Sequence, residues 1–390
     1  MKFLENMIHD AGKLFEKGKP LEKLYPLFEA TETFLLTPGK TTARSPHVRD
    51  AVDLKRVMIL VVLALIPAIL MGIYNVGYQI LLAKKMMIIP AQCWILGLEK
   101  VLPIILVSYA AGGFWEVVFA VIRKHEINEG FLVTGILYAL ILPPTIPLWM
   151  VAVGISFGVV FGKEVFGGTG MNVFNPALVA RAFVFFAYPA QISGSNVWVA
   201  VDGFTRATPL AIAASTPKGA DLVQHLTDAG YTFKDMFLGF VPGSIGETSA
   251  LACLIGLAFL LITGVASWRS VAGSVLGLLV MSGIFNLIQG QDKLAFFSLA
   301  PHWHMVMGGF AFGSVFMVTD PVSSAATDLG RWLYGFLIGA LTVLIRIVNP
   351  AYPEGMMLAV LFMNAFAPLI DYFIVQANIN KRLKRVTVKP

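Results

Sequence analysis

Runs of about 20 consecutive apolar residues decide what this chain can fold into. A helix needs roughly 20 residues to cross the hydrocarbon core of a bilayer. Only helices and closed barrels satisfy their own backbone polar groups there. The sequence offers about ten such stretches, at 56–76, 99–122, 129–142, 148–166, 174–190, 248–266, 271–288, 303–319, 332–349 and 355–376. The expected fold is an all-α polytopic membrane protein. Composition agrees: of 390 residues, 57% are hydrophobic and 13% charged, against about 25% charged in soluble domains. The net charge of +6 gathers at the termini and in short loops, the pattern of the positive-inside rule. It is not a nucleic-acid signal, and no nucleic-acid partner is expected.

The segments between the spans set the organisation. Residues 1–55 form a basic, amphipathic cytoplasmic lead, and 77–98 read as an outer loop with an interfacial helix. A first five-helix unit fills 56–190. A polar loop occupies 191–247, a second five-helix unit 248–376, and a basic tail 377–390. With basic residues at both ends, both termini are expected inside and the 191–247 loop outside. The two units resemble each other. Gly130-Phe131 with Pro143 parallels Gly309-Phe310 with Pro321, and Asn175-Pro176-Ala177 parallels Asn349-Pro350-Ala351. Five crossings is an odd number, so a repeated unit is inverted in the membrane. Inverted repeats with Gly/Pro-broken helices place ligand sites between the halves.

Within the long polar loop, Asp202-Gly203-Phe204-Thr205-Arg206-Ala207-Thr208-Pro209-Leu210 draws attention. Thr is a good N-cap and Pro suits the first helical position, so a helix starts at Thr208. A helix N-terminus also favours phosphate. The hydroxyl can therefore carry a phosphate-bearing group as well as cap a helix. Gly167-Gly168-Thr169-Gly170-Met171-Asn172-Val173-Phe174-Asn175-Pro176 sets two amides at the mouth of a broken helix. There they can bond a flat polar ring, or the glycines can serve close packing alone. Charged residues inside spans are costly and functional by default. Glu116 is read as cation-handling, while Asp320 and Asp371 are either capping or cation-binding. Carboxylates with hydroxyls and carbonyls suit a hard cation such as Na+. By their spacing alone, Phe312 and Phe316 read as packing. Cys93 and Cys253 have no Cys-x-x-Cys pairing, so no iron–sulfur or zinc site is expected in this chain.

Taken together, the longer words resemble a known family. They are His47-Val48-Arg49-Asp50, Asp53-Leu54-Lys55-Arg56, Gly112-Gly113-Phe114-Trp115-Glu116-Val117, Arg123-Lys124-His125-Glu126 and Asn128-Glu129-Gly130-Phe131. Lys163-Glu164-Val165-Phe166-Gly167-Gly168-Thr169-Gly170, Phe185-Phe186-Ala187-Tyr188-Pro189-Ala190-Gln191 and Asn349-Pro350-Ala351-Tyr352-Pro353-Glu354-Gly355 complete the set. The chain looks like the B subunits of Na+-translocating NADH:quinone oxidoreductases, over essentially its whole length. The D subunit of the related Rnf complexes is similar in the membrane part but generally lacks the polar lead.

The resemblance implies a redox-driven sodium pump subunit of ten helices in two inverted halves, in a bacterial inner membrane. FMN would be joined through its phosphate to Thr208, on the periplasmic side. Riboflavin would be held noncovalently, and ubiquinone would be the electron acceptor. The family's attachment word is Asp-x-x-Ser/Thr-Gly-Ala-Thr. Here Asp202, Thr205 and Thr208 match it, with Pro209 following, while Arg206 replaces the family's Gly. Gly168, Thr169, Asn172 and Asn175 fall in the riboflavin region. Gly112, Gly113, Glu126, Asn128, Glu129 and Phe131 fall in the quinone region. Glu116, Asp320, Asp371, Phe312 and Phe316 fall along the sodium path. The A, C, D, E and F subunits of a six-subunit complex, and a flavin transferase for maturation, are the implied partners. NADH is expected on another subunit, because no Gly-x-Gly-x-x-Gly follows a strand here. Two other readings stay open: an Rnf D-type subunit of a ferredoxin:NAD+ oxidoreductase, and a flavin-free transporter or channel of the same fold.

Overall fold

The computed structural model describes residues 54–123, 130–290, 294–349 and 352–386, with isolated positions before residue 54. The expected N-terminal lead lies outside these residues. The first unit holds α1 (Leu54–Ala83), α2 (Pro90–Arg123), α3 (Gly130–Leu140), α4 (Leu148–Gly162) and α5 (Pro176–Ala187). The second holds α6 (Ala250–Ile262), α7 (Trp268–Leu287), α8 (Phe310–Phe316), α9 (Asp328–Val348) and α10 (Met356–Val386). There is no strand among the described residues. Six helices, α1, α2, α4, α7, α9 and α10, are long and apolar enough to cross a membrane, and α3, α5 and α6 are shorter apolar helices. The fold is a polytopic membrane protein.

Burial is arranged as lipid requires. Leu63, Ile66 and Leu70 on α1, Leu102 and Leu106 on α2, and Phe362, Leu369 and Phe373 on α10 all point outward. The polar side chains Ser108, Glu116, Arg181, Thr342, Arg346 and Asn364 are buried. Without a hydrophobic drive between helices, close approach depends on small residues. A Cβ on Gly97 of α2 would sit 1.8 Å from the Ile73 carbonyl oxygen, and one on Gly77 of α1 1.9 Å from that of Cys93. This tight seam corrects the expectation of a long outer loop over 77–98. Val76, Ile80 and Leu81 keep α1 buried up to Ala83, so a short turn with Lys85 at φ 53° joins α1 to α2. At the other end, α10 runs through the basic residues to Val386, so the described part of the tail is helical.

The duplication is visible in the packing. In the first unit α2 packs on α4, α4 on α5, α1 on α3, α3 on α5 and α2 on α3; the equivalent pairs pack in the second unit. Across the units, α1 meets α6 and α5 meets α10, the self-equivalent pairs that a pseudo-twofold axis generates. Helix direction shows the inversion. The start of α3, at Gly130, shares a cavity with Thr319 and Asp320 beyond the end of α8. At the end of α3, the Leu140 and Leu142 carbonyls accept from Gly246 and Ile245 (2.7 and 3.1 Å). That segment lies beside Ser244 and Glu247, which line the opposite cavity with Gly308 before α8. So α3 and α8 run in opposite senses. Both are broken: α3 ends ahead of Pro143-Pro144, and α8 is a short helix between the helical piece Pro301–Val306 and Asp320-Pro321. The expected continuous span over 303–319 is thus two short helical pieces.

The 191–247 loop is folded rather than open. It carries helices Pro209–Ser215, Leu222–Asp228 and Phe233–Leu238. Asp221 caps the second by accepting from Val223 and Gln224, and a Thr232/Asp235 capping box starts the third. Leu222, Leu226, Tyr231 and Met236 anchor it to the core.

Candidate functional site

Thr208 caps its helix as the sequence predicts, with φ −72° and ψ 160°, its hydroxyl accepting from Ala211 N–H at 3.2 Å. It stands on the rim of a cavity of about 450 Å³ between the loop and the two five-helix units. Phe185, Trp198, Pro209, Leu210 and Tyr352 supply apolar walls, and Arg181, Glu247 and Glu354 supply charge. Arg181 lies in α5 and donates from Nη1 to Glu247 Oε1 at 2.8 Å, both groups buried. Glu354 Oε1 accepts from Gly309 N–H at 2.6 Å and so caps α8. Gly308 is required beside it: φ is +63°, and an added Cβ would lie 2.4 Å from Leu210 and 2.5 Å from Glu354. Arg346 of α9 stitches this corner from behind, donating to the His304, Met307 and Glu354 carbonyls.

Arg206 does not reach into this cavity. Its guanidinium donates to Gln79 Oε1 of α1 at 3.0 Å and lies over the Tyr231 ring at 4.9 Å. Its N–H donates to the Ser195 carbonyl, and the Tyr231 hydroxyl donates to the Ala207 carbonyl. Arg206 thus clasps the Thr208 loop to the scaffold. Burial pushes the Tyr231 phenol upward, with the adjacent Arg206 charge working against it. Asp202 and Thr205 line a separate crevice with Glu99, Lys100 and Thr145; of the attachment word's neighbours, Pro209 shares the cavity of Thr208.

On the opposite face, Lys163, Thr169, Asn172, Asn175, Phe316 and Asp320 line a second cavity, of about 70 Å³. Asn175 Oδ1 caps α5 by accepting from Ala177 and Leu178, and its Nδ2 donates to Asp320 Oδ2 at 3.1 Å. Asn172 Oδ1 accepts from Gly170 N–H, and its Nδ2 donates to the Phe174 carbonyl. Gly168 adopts φ +98° at the turn. The buried Thr169 hydroxyl has no hydrogen-bond partner among the described residues. Of the residues expected at a riboflavin site, Thr169, Asn172 and Asn175 line this cavity, and the two amides are engaged within the protein.

The remaining expected residues fall in three places. Gly112 and Gly113 seat the Phe131 ring, with an added Gly112 Cβ only 2.4 Å from it; Glu126, Asn128 and Glu129 lie outside the described residues. Glu116 is paired to Lys163 at 2.5 Å, and Glu164 to Arg123 at 3.2 Å, so this acid is neutralised within the protein. Asp320 also accepts from Val322 N–H and the Ser323 hydroxyl, and Asp371 from Ala326 N–H and from Thr327 N–H and hydroxyl. Both carboxylates are thus held by neutral donors. Phe312 and Phe316 are buried with ring centroids 5.1 Å apart, on the helix that runs between the two cavities. Sequence reasoning missed Arg181 and Glu247. The signal was present, since Arg181 is a lone cation inside the apolar run Pro176–Ala187.

Comparison with known proteins places the chain in a family. The sequence model of the NQR2, RnfD, RnfE family matches residues 41–380. The B subunit of the Na(+)-translocating NADH-quinone reductase of Pseudomonas paraeruginosa (strain DSM 24068 / PA7) is 53% identical, over 98% of this chain and 99% of that protein. The B subunit from Azotobacter vinelandii is 53% identical over 98% of each chain. That of Klebsiella pneumoniae (strain 342) is 53% identical over 98% of this chain and 99% of its own. With most of its length matched by the family model and nearly all of it by these relatives, the chain belongs to the NQR2, RnfD, RnfE family.

Proposed function

We propose that this chain is the B-type membrane subunit of a redox-driven sodium pump, carrying FMN as a phosphoester on Thr208. Electrons drawn from NADH pass through this subunit to ubiquinone while Na+ moves outward. The observation that carries the reading is the Thr208 hydroxyl on the rim of a preformed 450 Å³ cavity with apolar walls and a buried ionic floor. That volume falls in the range of cofactor sites, roughly 300–1,000 Å³. A flavin bound there supplies the electron-carrying chemistry. The chain's residues would hold it there: Phe185, Trp198 and Tyr352 supply the cavity walls, while the Arg206 clasp fixes the attachment loop.

The expected noncovalent riboflavin meets a tighter corner. About 70 Å³ holds a few waters, and the Asn172 and Asn175 amides are bonded within the protein. Its ring fits only if the cleft widens or a neighbouring subunit completes it, so no step is derived through it. Glu116, Asp320, Asp371, Phe312 and Phe316 remain the proposed sodium path, with the two rings as the constriction between the faces. Gly112, Gly113 and Phe131, with Glu126, Asn128 and Glu129, remain the proposed quinone region. We place the protein in a bacterial inner membrane with the termini inside and the Thr208 loop outside. The A, C, D, E and F subunits and a flavin transferase are its partners.

Co-expression with a flavin transferase, followed by a denaturing gel, tests the reading. Flavin fluorescence in the wild-type band that vanishes in Thr208→Val supports it. A dark wild-type band, beside a working transferase control, contradicts it. Quinone reduction in place of ferredoxin-linked NAD+ chemistry separates it from the Rnf-type reading.

A further inference from the structure

We propose that Arg181 is the positioning residue that supplies the counter-charge for the reduced flavin in the Thr208 cavity, an inference that rests on the covalent-FMN reading above. Arg181 and Thr208 open on the same cavity. Arg181 is only 6% exposed. A guanidinium offers five N–H donors in a rigid fork. Here a single hydrogen bond, from Nη1 to Glu247, uses part of that fork, and its other donors have no acceptor among the described residues. A buried cation is costly, and cations are retained inside membrane proteins where they meet a partner or a function. Glu247 neutralises Arg181 at rest and leaves donors facing the space where a ring fits.

The charged and titratable groups around Arg181 are Glu247 from the segment before α6, Tyr352 and Glu354 from the turn before α10, and Tyr138 from α3. Glu354 is directed to Gly309 N–H, and Arg346 lies behind it. Two cations and two carboxylates thus balance, and the fork of Arg181 is the cationic face turned to the cavity.

Full reduction of a flavin takes two electrons, from a donor such as dithionite or an upstream redox partner, and one proton at N5. The negative charge left on the N1–C2=O edge is met either by a second proton or by a fixed cation. Arg181 takes the place of that second proton. Its guanidinium donates to the anionic edge, which favours reduction and keeps it a one-proton event.

The test is a spectroelectrochemical titration of the covalently flavinylated full-length chain across pH, with gel fluorescence confirming attachment in every variant. Wild type is expected to lose about 30 mV per pH unit, one proton per two electrons. Arg181→Met/Glu247→Gln, which removes the pair without stranding a buried charge, is expected to steepen toward about 59 mV at the acid end. Its reduction equilibrium should fall at least tenfold at neutral pH, about 30 mV for two electrons. Arg181→Lys should keep the shallow slope. Glu247→Gln, which frees the whole fork, should raise the midpoint. Equal slopes and midpoints in wild type and the double variant, or no rise in Glu247→Gln, overturn the proposal while covalent fluorescence still supports the attachment reading. A wild-type chain without covalent flavin overturns both.

Discussion

The two cavities occupy equivalent corners of an inverted repeat, yet they are built differently. One lies at the start of α3, where the α4–α5 turn and the break beyond α8 meet. The other lies at the start of α8, where the α9–α10 turn, the segment before α6 and the loop following α5 meet. The first is small, about 70 Å³, with Asn175 tying α5 to Asp320 across the two units. The second is larger, about 450 Å³, walled on one side by the loop helix Pro209–Ser215 and floored by the Arg181–Glu247 pair. Duplication therefore explains the corners, not their capacity. Capacity comes from what was added: a long capped loop on one face, a glycine turn on the other. Each cavity has a buried ion pair beside it, Glu116 with Lys163 at the smaller and Arg181 with Glu247 on the floor of the larger.

The sharpest way to break this comparison is to strand one member of each pair. Arg181→Met leaves Glu247 buried and unpaired, and we expect about 3–5 kcal/mol of destabilisation, read by thermal unfolding in detergent. Adding Glu247→Gln should recover most of it; a double variant as unstable as the single would show that the pair is not what holds the floor. Lys163→Met should cost less, about 3 kcal/mol. There Glu164 keeps Arg123 as partner while it and Glu116 lose their contacts with Lys163. The same melting curves check it, with Glu116→Gln as the compensating change. Asn175→Ala removes a helix cap, worth about 1 kcal/mol, and the amide that holds Asp320. It should loosen the smaller cavity, seen as faster labelling of a cysteine placed at Thr169. The smallest effect is expected for Arg206→Gly. It releases a hydrogen bond and a cation–π contact, together about 1–2 kcal/mol at most, and leaves gel fluorescence at Thr208 intact. Loss of that fluorescence would give Arg206 a direct part in attachment.

Much of this was legible in the sequence because membrane spans are long and uniform. The approximate places of the apolar helices, the end of α3 ahead of Pro143-Pro144, and the parallel between Gly130-Phe131 and Gly309-Phe310 follow from apolar length and from Gly and Pro, whereas the break before α8 did not. Thr208 was legible because capping is a local property, decided by a hydroxyl and the Pro209 beside it. Three features were not. The α1–α2 seam at Gly77 and Gly97 depends on which carbonyl each glycine faces. The partner of Arg206 is Gln79, 127 residues away, and no local pattern specifies it. Arg181 gave a signal as an in-span cation, but its meaning depends on Glu247 and a cavity formed by both units.

The most direct measurement of the central claim, that the larger cavity is the prepared flavin site, is a flavin inventory of the purified chain. Denature it, separate extractable from protein-bound flavin, and compare wild type with Thr208→Val. The expected result is about one bound FMN per wild-type chain, none bound in Thr208→Val, and no change in whatever flavin is extractable. Bound flavin that survives Thr208→Val would contradict it.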